Sequence, residues 1–232
     1  MIFGGKVKIG VLGGIGPEAT SEFYNKLIKK LQSEGLIKKN QDFPQIIINS
    51  IPAPELVHED ISKEDLDVYI GGLQELDSFS PDIIVMVCNT IHIYYDYLST
   101  FIRAPIINLR NEVKNEILSK DYKKILVLGT KNTLKQGLYT FESINTLIPS
   151  LEEQNILEKA IFNYNLGIEK DKQKKQAEEI CKKYQELGIK TIILGCTEFA
   201  VMLSGLNFSK INTIDVLVEA TLNIFKRRIS EE

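Results

Sequence analysis

The chain has 232 residues, 44% apolar and 25% charged, which suits a folded chain with one large core or two small ones and excludes a disordered one. A formal net charge of -3 excludes a strong basic field, so neither nucleic acid nor an anionic membrane is an expected partner. Apolar runs stop at about six residues, far below the roughly 20 needed to cross a bilayer, and the N-terminus has no signal-peptide pattern; a cytoplasmic location is expected, in which the cysteines remain thiols.

Lys6 to Leu12 reads as a first strand, followed at once by the turn GGIGPEAT from Gly13 to Thr20. Pro17 suits the first position of a helix, and Phe23, Leu27 and Leu31 give that helix one apolar stripe. Backbone N–H groups at such a turn are free to meet an anion. Gly14, Gly16 and Ala19 also fit the G-x-G-x-x-A dinucleotide pattern. The second strand, Gln45 to Ile51, ends in Asn49-Ser50 rather than an acidic residue, so a small carboxylate or a plain tight turn is the better reading. Pro52 to Asp60 is too rich in proline for a strand interior and is a candidate lid over a strand end. Ser62 and Asp65 make a capping-box-like start for a helix whose buried stripe is Leu66, Tyr69, Ile70, Leu73 and Leu76.

Ile83 to Val87 is an apolar run fit for a strand buried on both faces of a parallel sheet, and it delivers Cys88 to its carboxyl end. The run NTIHIYYDYL predicts another helix, with Asn89 or Thr90 able to cap it. Pro105 to Asn108 reads as a short strand and is followed by a helix through Val113, Ile117 and Leu118. The pattern then restarts: KILVLGT from Lys124 to Thr130 mirrors KIGVLGG from Lys8 to Gly14, and a helix follows with Leu134, Leu138 and Phe141 on one face. Leu147 to Leu151 is weakly strand-like and Ile156 to Ile161 helical. After a polar run, an amphipathic helix carries Ala177, Ile180, Cys181, Tyr184 and Leu187 on one face and stops at Gly188, which makes Cys181 core packing. The segment TIILGCTE then brings Cys196 to the end of a second apolar strand. Lys226-Arg227-Arg228 closes a terminal helix, where cations complement the helix dipole.

The predicted fold class is α/β, with two pseudo-twofold-related domains that are each a parallel sheet flanked by helices. Ligands of open parallel sheets collect at the carboxyl ends of the strands, so Cys88 and Cys196 are expected to flank one cleft between the domains. A zinc site could draw on Cys88, His92 and Cys196 but lacks a Cys-x-x-Cys pair, and a cysteine hydrolase pairing Cys88 with His92 leaves Cys196 unused. A third chemistry uses both thiols: one thiolate removes the proton from a substrate α-carbon while the other thiol donates one from the opposite face, inverting the centre. An ordinary thiol, with a pKa near 8.5, is only a few per cent ionised at neutral pH, so one of the pair needs help. Strand-end N–H groups and the hydroxyls of Thr90 and Thr197 are the candidates.

GGIGPEAT, VCNTIH and LGCTE together resemble the aspartate/glutamate racemase family, most closely its aspartate racemase branch, across nearly the whole chain. The resemblance implies a homodimeric racemase that needs neither metal nor pyridoxal phosphate, acts on a small amino-acid substrate, and has its site between two α/β domains. It implies a first domain of residues 1–102 plus 211–232 carrying Cys88 and a second of 103–210 carrying Cys196. Carried over by position, Cys88 and Cys196 are the acid/base pair, and Asn89, Thr90 and Ile91 hold the substrate α-carboxylate. Thr130, Thr133 and Thr197 line the pocket, and Gly13 and Gly14 belong to the N-terminal loop. Relatives selective for aspartate often carry an arginine in an I-P-D-R context and a lysine on the helix before the second cysteine strand. Here those stretches read Ile51-Pro52-Ala53-Pro54 and Asn165-Leu166-Gly167. Aspartate is the first expected substrate, with glutamate or another amino acid as the alternative; a binding protein without catalysis is the reading from another class.

Overall fold

The first apolar run forms β1 (Lys8–Gly13), and its alternating side chains fill both faces of a sheet. The structure, a computed structural model, describes residues 7–54, 56 and 61–230. Helix α1 (Pro17–Ser33) follows β1 through the glycine turn with Pro17 in its first turn. Next come β2 (Gln45–Ser50), α2 (Lys63–Ser78) and β3 (Ile83–Met86). All pairing is parallel, in the order β2-β1-β3. Ile9, Val11, Val85 and Val87 point to the α1 side with Phe23 and Leu27. Leu12, Ile84 and Met86 point to the α2 side with Tyr69, Leu73 and Leu76. The predicted cap of α2 is made, since Asp65 N–H donates to Ser62 Oγ at 3.1 Å and Ser62 N–H donates to Asp65 Oδ2 at 3.0 Å.

After Cys88 the chain departs from the predicted long helix. A 3-10 turn over Thr90–Tyr94 leads into the single α turn α3 (Tyr95–Leu98) and a second 3-10 turn over Ser99–Phe101. β-branched and aromatic residues crowd the preceding turn of a helix, and this run carries Ile91, Ile93, Tyr94, Tyr95 and Tyr97. The predicted strand at Pro105 to Asn108 is reduced to one parallel bridge, Ile84 with Ile106. Helix α4 (Leu109–Ser119) starts on the Asn108 side chain, which accepts from Asn111 N–H.

The restart is real in three dimensions. It runs β4 (Lys124–Gly129), α5 (Lys131–Lys135), β5 (Asn145–Leu147), α6 (Leu151–Asn165), α7 (Lys170–Glu186), β6 (Ile192–Gly195), α8 (Thr197–Met202), β7 (Lys210–Asn212) and α9 (Thr213–Ser230). The second sheet is parallel in the order β5-β4-β6-β7, so its first three positions repeat the order β2-β1-β3. In each sheet the strand that opens the half lies in the middle and the cysteine-bearing strand lies beside it. Helix α5 stops well short of the predicted face; Leu134, Leu138 and Phe141 are nonetheless all buried. The stripe of α7 is buried through Tyr184, while Leu187 is exposed past its end.

Ile107 N–H donates to the Ile84 carbonyl beside the bridge between Ile84 and Ile106. Strand β7 belongs to the second sheet, and both α8 and α9 pack on α1. Lys26–Asp215 at 2.6 Å and Lys30–Glu219 at 2.5 Å tie those two helices on the surface, worth about 0–1 kcal/mol each. The basic end of α9 meets carboxylates, Lys226 pairing with Glu34 and Arg228 with Asp82. One core cluster runs through both halves, from Ile9 and Val11 to Leu126 and Leu194. Among the described residues no helix is long and apolar enough to cross a membrane.

Candidate active site

Both cysteine strands end at one cavity of about 710 Å³, and Cys88 and Cys196 both line it. Cys88 follows β3 directly, and the backbone N–H groups of Thr90 and Ile91 and the Thr90 hydroxyl reach its sulfur. Burial pushes the Cys88 thiol up to about 12, more than those donors pull it back. Cys196 precedes α8 in extended conformation, and its Sγ donates to Glu198 Oε2 at 2.7 Å. Burial first, then the Glu198 carboxylate, holds the Cys196 thiol well above the usual range, and charge on Cys88 raises it further. Sequence reasoning expects one thiol eased towards ionisation; burial instead favours the neutral form of both.

Three hydroxyls brace the wall beside Cys88. Thr90 Oγ1 lies 3.2 Å from Thr130 Oγ1 and 3.0 Å from Thr133 Oγ1, and Thr130 and Thr133 are 3.1 Å apart. Thr130 also caps α5 by accepting from Thr133 N–H at 3.1 Å. Asn89, 1% exposed, donates from Nδ2 to Thr213 Oγ1 at 3.0 Å and accepts from the Tyr139 hydroxyl at 2.5 Å.

The structure brings together most of the residues singled out by sequence. Gly14, Asn89, Thr90, Thr130 and Thr197 line the cavity with the two cysteines. Gly13, Ile91 and Thr133 stand behind its wall. A Cβ at Gly13 would lie 2.4 Å from Thr20 Cγ2, so this glycine serves the packing of β1 on α1. The Ile91 side chain is fully buried in the core beside α2, and only its N–H serves the site. Thr133 acts through Thr90 and Thr130. Gly14 has φ +87, and a Cβ there would fall 2.2 Å from the Ile51 carbonyl, so the loop can pass the end of β2 only as glycine. His92 is buried outside the lining, with Nε2 3.4 Å from the Met86 carbonyl and Nδ1 unpartnered, so it forms no dyad with Cys88. Of the candidate lid, Ala53, Pro54 and Leu56 line the cavity; Tyr69 holds the Pro54 carbonyl and Asn132 Nδ2 the Leu56 carbonyl at 3.3 Å. Residues 55 and 57–60 lie outside the described residues.

Residues 12–221 match the sequence profile of the Asp/Glu/Hydantoin racemase family. The chain belongs to the Asp/Glu/hydantoin racemase family. It is 32% identical over 132 residues to the broad specificity amino-acid racemase RacX of Bacillus subtilis (strain 168), covering 56% of this chain and 58% of that protein. It is 29% identical over 160 residues to a glutamate racemase of Sulfurihydrogenibium sp. (strain YO3AOP1), covering 63% and 60%. The chain thus spans about six-tenths of the length of these curated relatives. Among solved structures it resembles the Picrophilus torridus aspartate racemase with TM-score 0.79 at 23% identity, over 95% of this chain and 94% of that one. An aspartate racemase homologue from Pyrococcus horikoshii OT3 superposes with TM-score 0.74 at 27% identity, over 94% and 99%. The α/β architecture of two parallel sheets is that of the family's known structures.

Sequence reasoning missed several residues of this family member's cavity. Asn155, Glu158, Lys159, Phe162 and Asn165 line it from one face of α6, a helical spacing visible in the sequence but without a motif to flag it. Asn165 Nδ2 donates to Glu198 Oε1 at 3.1 Å, which turns the other oxygen towards Cys196. Lys131 pairs with Glu158 at 2.6 Å, while Lys159 makes no ion pair among the described residues. Cys181 is fully buried on α7, away from the cavity.

Proposed function

We propose that the chain is an amino-acid racemase, independent of pyridoxal phosphate, in which Cys88 and Cys196 carry protons to and from opposite faces of a substrate α-carbon. The observation that carries this reading is the pair of thiols at equivalent strand ends of two like-ordered sheets, lining one cavity. A dedicated base and acid would need no such equivalence, whereas a reversible inversion asks the two sulfurs to exchange roles.

In the free enzyme the roles are unequal. The Glu198 charge opposes ionisation of both sulfurs but its carboxylate accepts a hydrogen bond from Cys196 only, whereas Cys88 also faces two N–H groups and a hydroxyl that suit an anion. Bringing Cys88 from about 12 down to its ordinary 9.0 corresponds to about 4 kcal/mol. A substrate α-ammonium about 4 Å from the sulfur, at an effective dielectric near 20, supplies about 4 kcal/mol. Substrate entry therefore offsets the burial that opposes the Cys88 thiolate, and the reaction proceeds through the small ionised fraction that an ordinary thiol keeps at neutral pH. The Cys88 thiolate then takes the α-proton, and the Cys196 thiol protonates the carbanion from the other face. This leaves a Cys88 thiol and a Cys196 thiolate, and proton exchange restores the starting state. Because Gly14 N–H donates to Thr20 Oγ1, the Ile15 and Gly16 N–H groups of the same turn are the ones to meet the transient negative charge, in a site that Ala53, Pro54 and Leu56 screen from water.

Aspartate is the first proposed substrate, with Lys159 the cation free to meet a side-chain carboxylate. A wider range has its own support, because Ile15, Leu56, Ile161 and Phe162 share the wall and no arginine lines the cavity among the described residues. A homodimer in the cytoplasm belongs to the same reading, on the family likeness. The test is incubation of single enantiomers of aspartate, glutamate and alanine in deuterated water. A racemase places deuterium at the α-carbon of the inverted product; a binding protein leaves every enantiomer unchanged and unlabelled, which would refute the proposal.

A further inference from the structure

Tyr139 touches the flanks of both catalytic thiols without lining the cavity. It is 1% exposed and comes from the segment between α5 and β5. Its hydroxyl donates to Oδ1 of Asn89, the residue after Cys88, at 2.5 Å. Its ring lies against Gly195, the residue before Cys196: a Cβ on Gly195 would stand 3.1 Å from Tyr139 Cε2 and 3.2 Å from Cδ2. The same Cβ would stand 2.9 Å from the Leu128 carbonyl oxygen, so glycine at 195 admits both the β4 backbone and the Tyr139 ring at the end of β6. A second tether runs parallel to the first. Asn89 Nδ2 donates to Thr213 Oγ1, and Thr213 Oγ1 donates to the Leu194 carbonyl at 2.8 Å. Asn89 is therefore fixed at both ends of its amide, each time to the β6 side of the site. Charge on either sulfur raises the Tyr139 hydroxyl, after burial the next causes of its shift, which places the ring within the field of both.

We propose that Tyr139 is a positioning residue that sets the gap between the two sulfurs, acting as a spacer wedged between Asn89 and Gly195. This rests on the two-thiol reading. A core aromatic placed only to fill space would need no buried hydroxyl bond to the residue beside one thiol while its ring packs on the residue beside the other. For a proton relay across one carbon the spacing matters more than for a single base, because a sulfur left too far back lets the carbanion recapture a proton on the face it lost one from. Removing the hydroxyl frees Asn89 Oδ1 and loosens the Cys88 side relative to the Cys196 side.

The experiment is Tyr139→Phe in the full chain, compared with wild type on L-aspartate, L-glutamate and L-alanine in deuterated water. It follows kcat, KM, thermal melting, and the ratio of α-deuterium in recovered substrate to that in inverted product. Misplacement by a fraction of an ångström predicts a kcat lower by about tenfold to a hundredfold with KM little changed. It also predicts a severalfold rise in the exchange-to-inversion ratio, which lost stability alone does not move. An unchanged ratio in a folded variant overturns the proposal, whatever happens to kcat. Should Tyr139→Phe fail to fold, Tyr139→His, which keeps an aromatic ring and a donor of shorter reach, takes its place; the same rise is expected, and its absence is equally decisive. If wild type labels none of the three amino acids, the two-thiol reading fails and the spacer role falls with it. An active wild type with an unaltered variant ratio overturns the tyrosine's role alone.

Discussion

Glu198→Gln removes a charge that opposes ionisation of both thiols, and of Cys196 most directly through a hydrogen bond, while keeping the shape of the site. The carboxylate accepts from Cys196 Sγ at 2.7 Å and from Asn165 Nδ2 at 3.1 Å. A glutamine can keep the Asn165 bond through its carbonyl, which turns its NH2 group towards the sulfur. The negative charge that opposes ionisation of Cys196 disappears, and a donor to the thiolate takes its place. A charge-assisted hydrogen bond in a buried setting is worth about 1.5–3 kcal/mol, equivalent to a fall of about 1–2 pH units in the Cys196 midpoint. The measurement replaces Cys88 and Cys181 with alanine, so that Cys196 is the last thiol of three in the sequence, and follows its alkylation by iodoacetamide against pH by mass spectrometry. In the chain that keeps all its cysteines, the same loss predicts racemisation slower by about tenfold to a hundredfold. Enantiomers have equal free energies, so kcat/KM must fall by the same factor in both directions. An alkylation midpoint that stays put or moves up would refute the assignment of Glu198 as the group that keeps Cys196 protonated.

The cysteines themselves give a sharper contrast. Cys88→Ala and Cys196→Ala are each expected to abolish inversion with the fold retained, whereas Cys181→Ala, in a fully buried site away from the cavity, is expected to keep activity and lose about 1 kcal/mol of stability in a denaturant titration. An inactive Cys181→Ala variant would overturn the roles. Far from the site, Glu153 tests the pH side of the fold: burial pushes its carboxyl up, but Lys183 at 2.6 Å, Ser150 N–H at 2.8 Å and the Tyr184 hydroxyl at 2.9 Å bring it down to about 2. A folded-state value below the ordinary 4.5 contributes stability that is present above pH 4.5 and is lost as pH falls through about 2. With Lys183 largely exposed the contribution is about 1–2 kcal/mol, and Glu153→Gln is expected to flatten thermal stability across that acid window.

Much of this architecture is written locally. The buried strands announce themselves as the apolar runs before Cys88 and Cys196, the start of α2 is spelled by Ser62 and Asp65, and the restart at Lys124 forecasts the second sheet. Both cysteines were legible because a repeat places them at the same point of two like units, and a strand end is where a parallel sheet opens to a ligand. What failed was also local in origin. The run after Cys88 has helical composition in part, but its β-branched and aromatic residues tighten it into 3-10 turns, which is what aims the N–H groups of Thr90 and Ile91 at the sulfur.

The groups that tune the site could not be read this way, because each acts across a contact between elements distant in sequence. Tyr139 reaches Asn89, Asn165 reaches Glu198, and Asn132 reaches Leu56 only once the two sheets share a core. The substrate's side-chain end shows the same logic. Sequence comparison looks for a lysine near Asn165 and finds none, yet α6 turns Lys159 into the cavity from earlier on the same helix, while α5 brings Lys131 against Glu158. A motif records which residue stands next to which along the chain; charge at a binding site depends on which helix face the fold turns inward. A cation can therefore be absent from the expected position and still be present in the cavity, on the face of α6 that the fold turns inward.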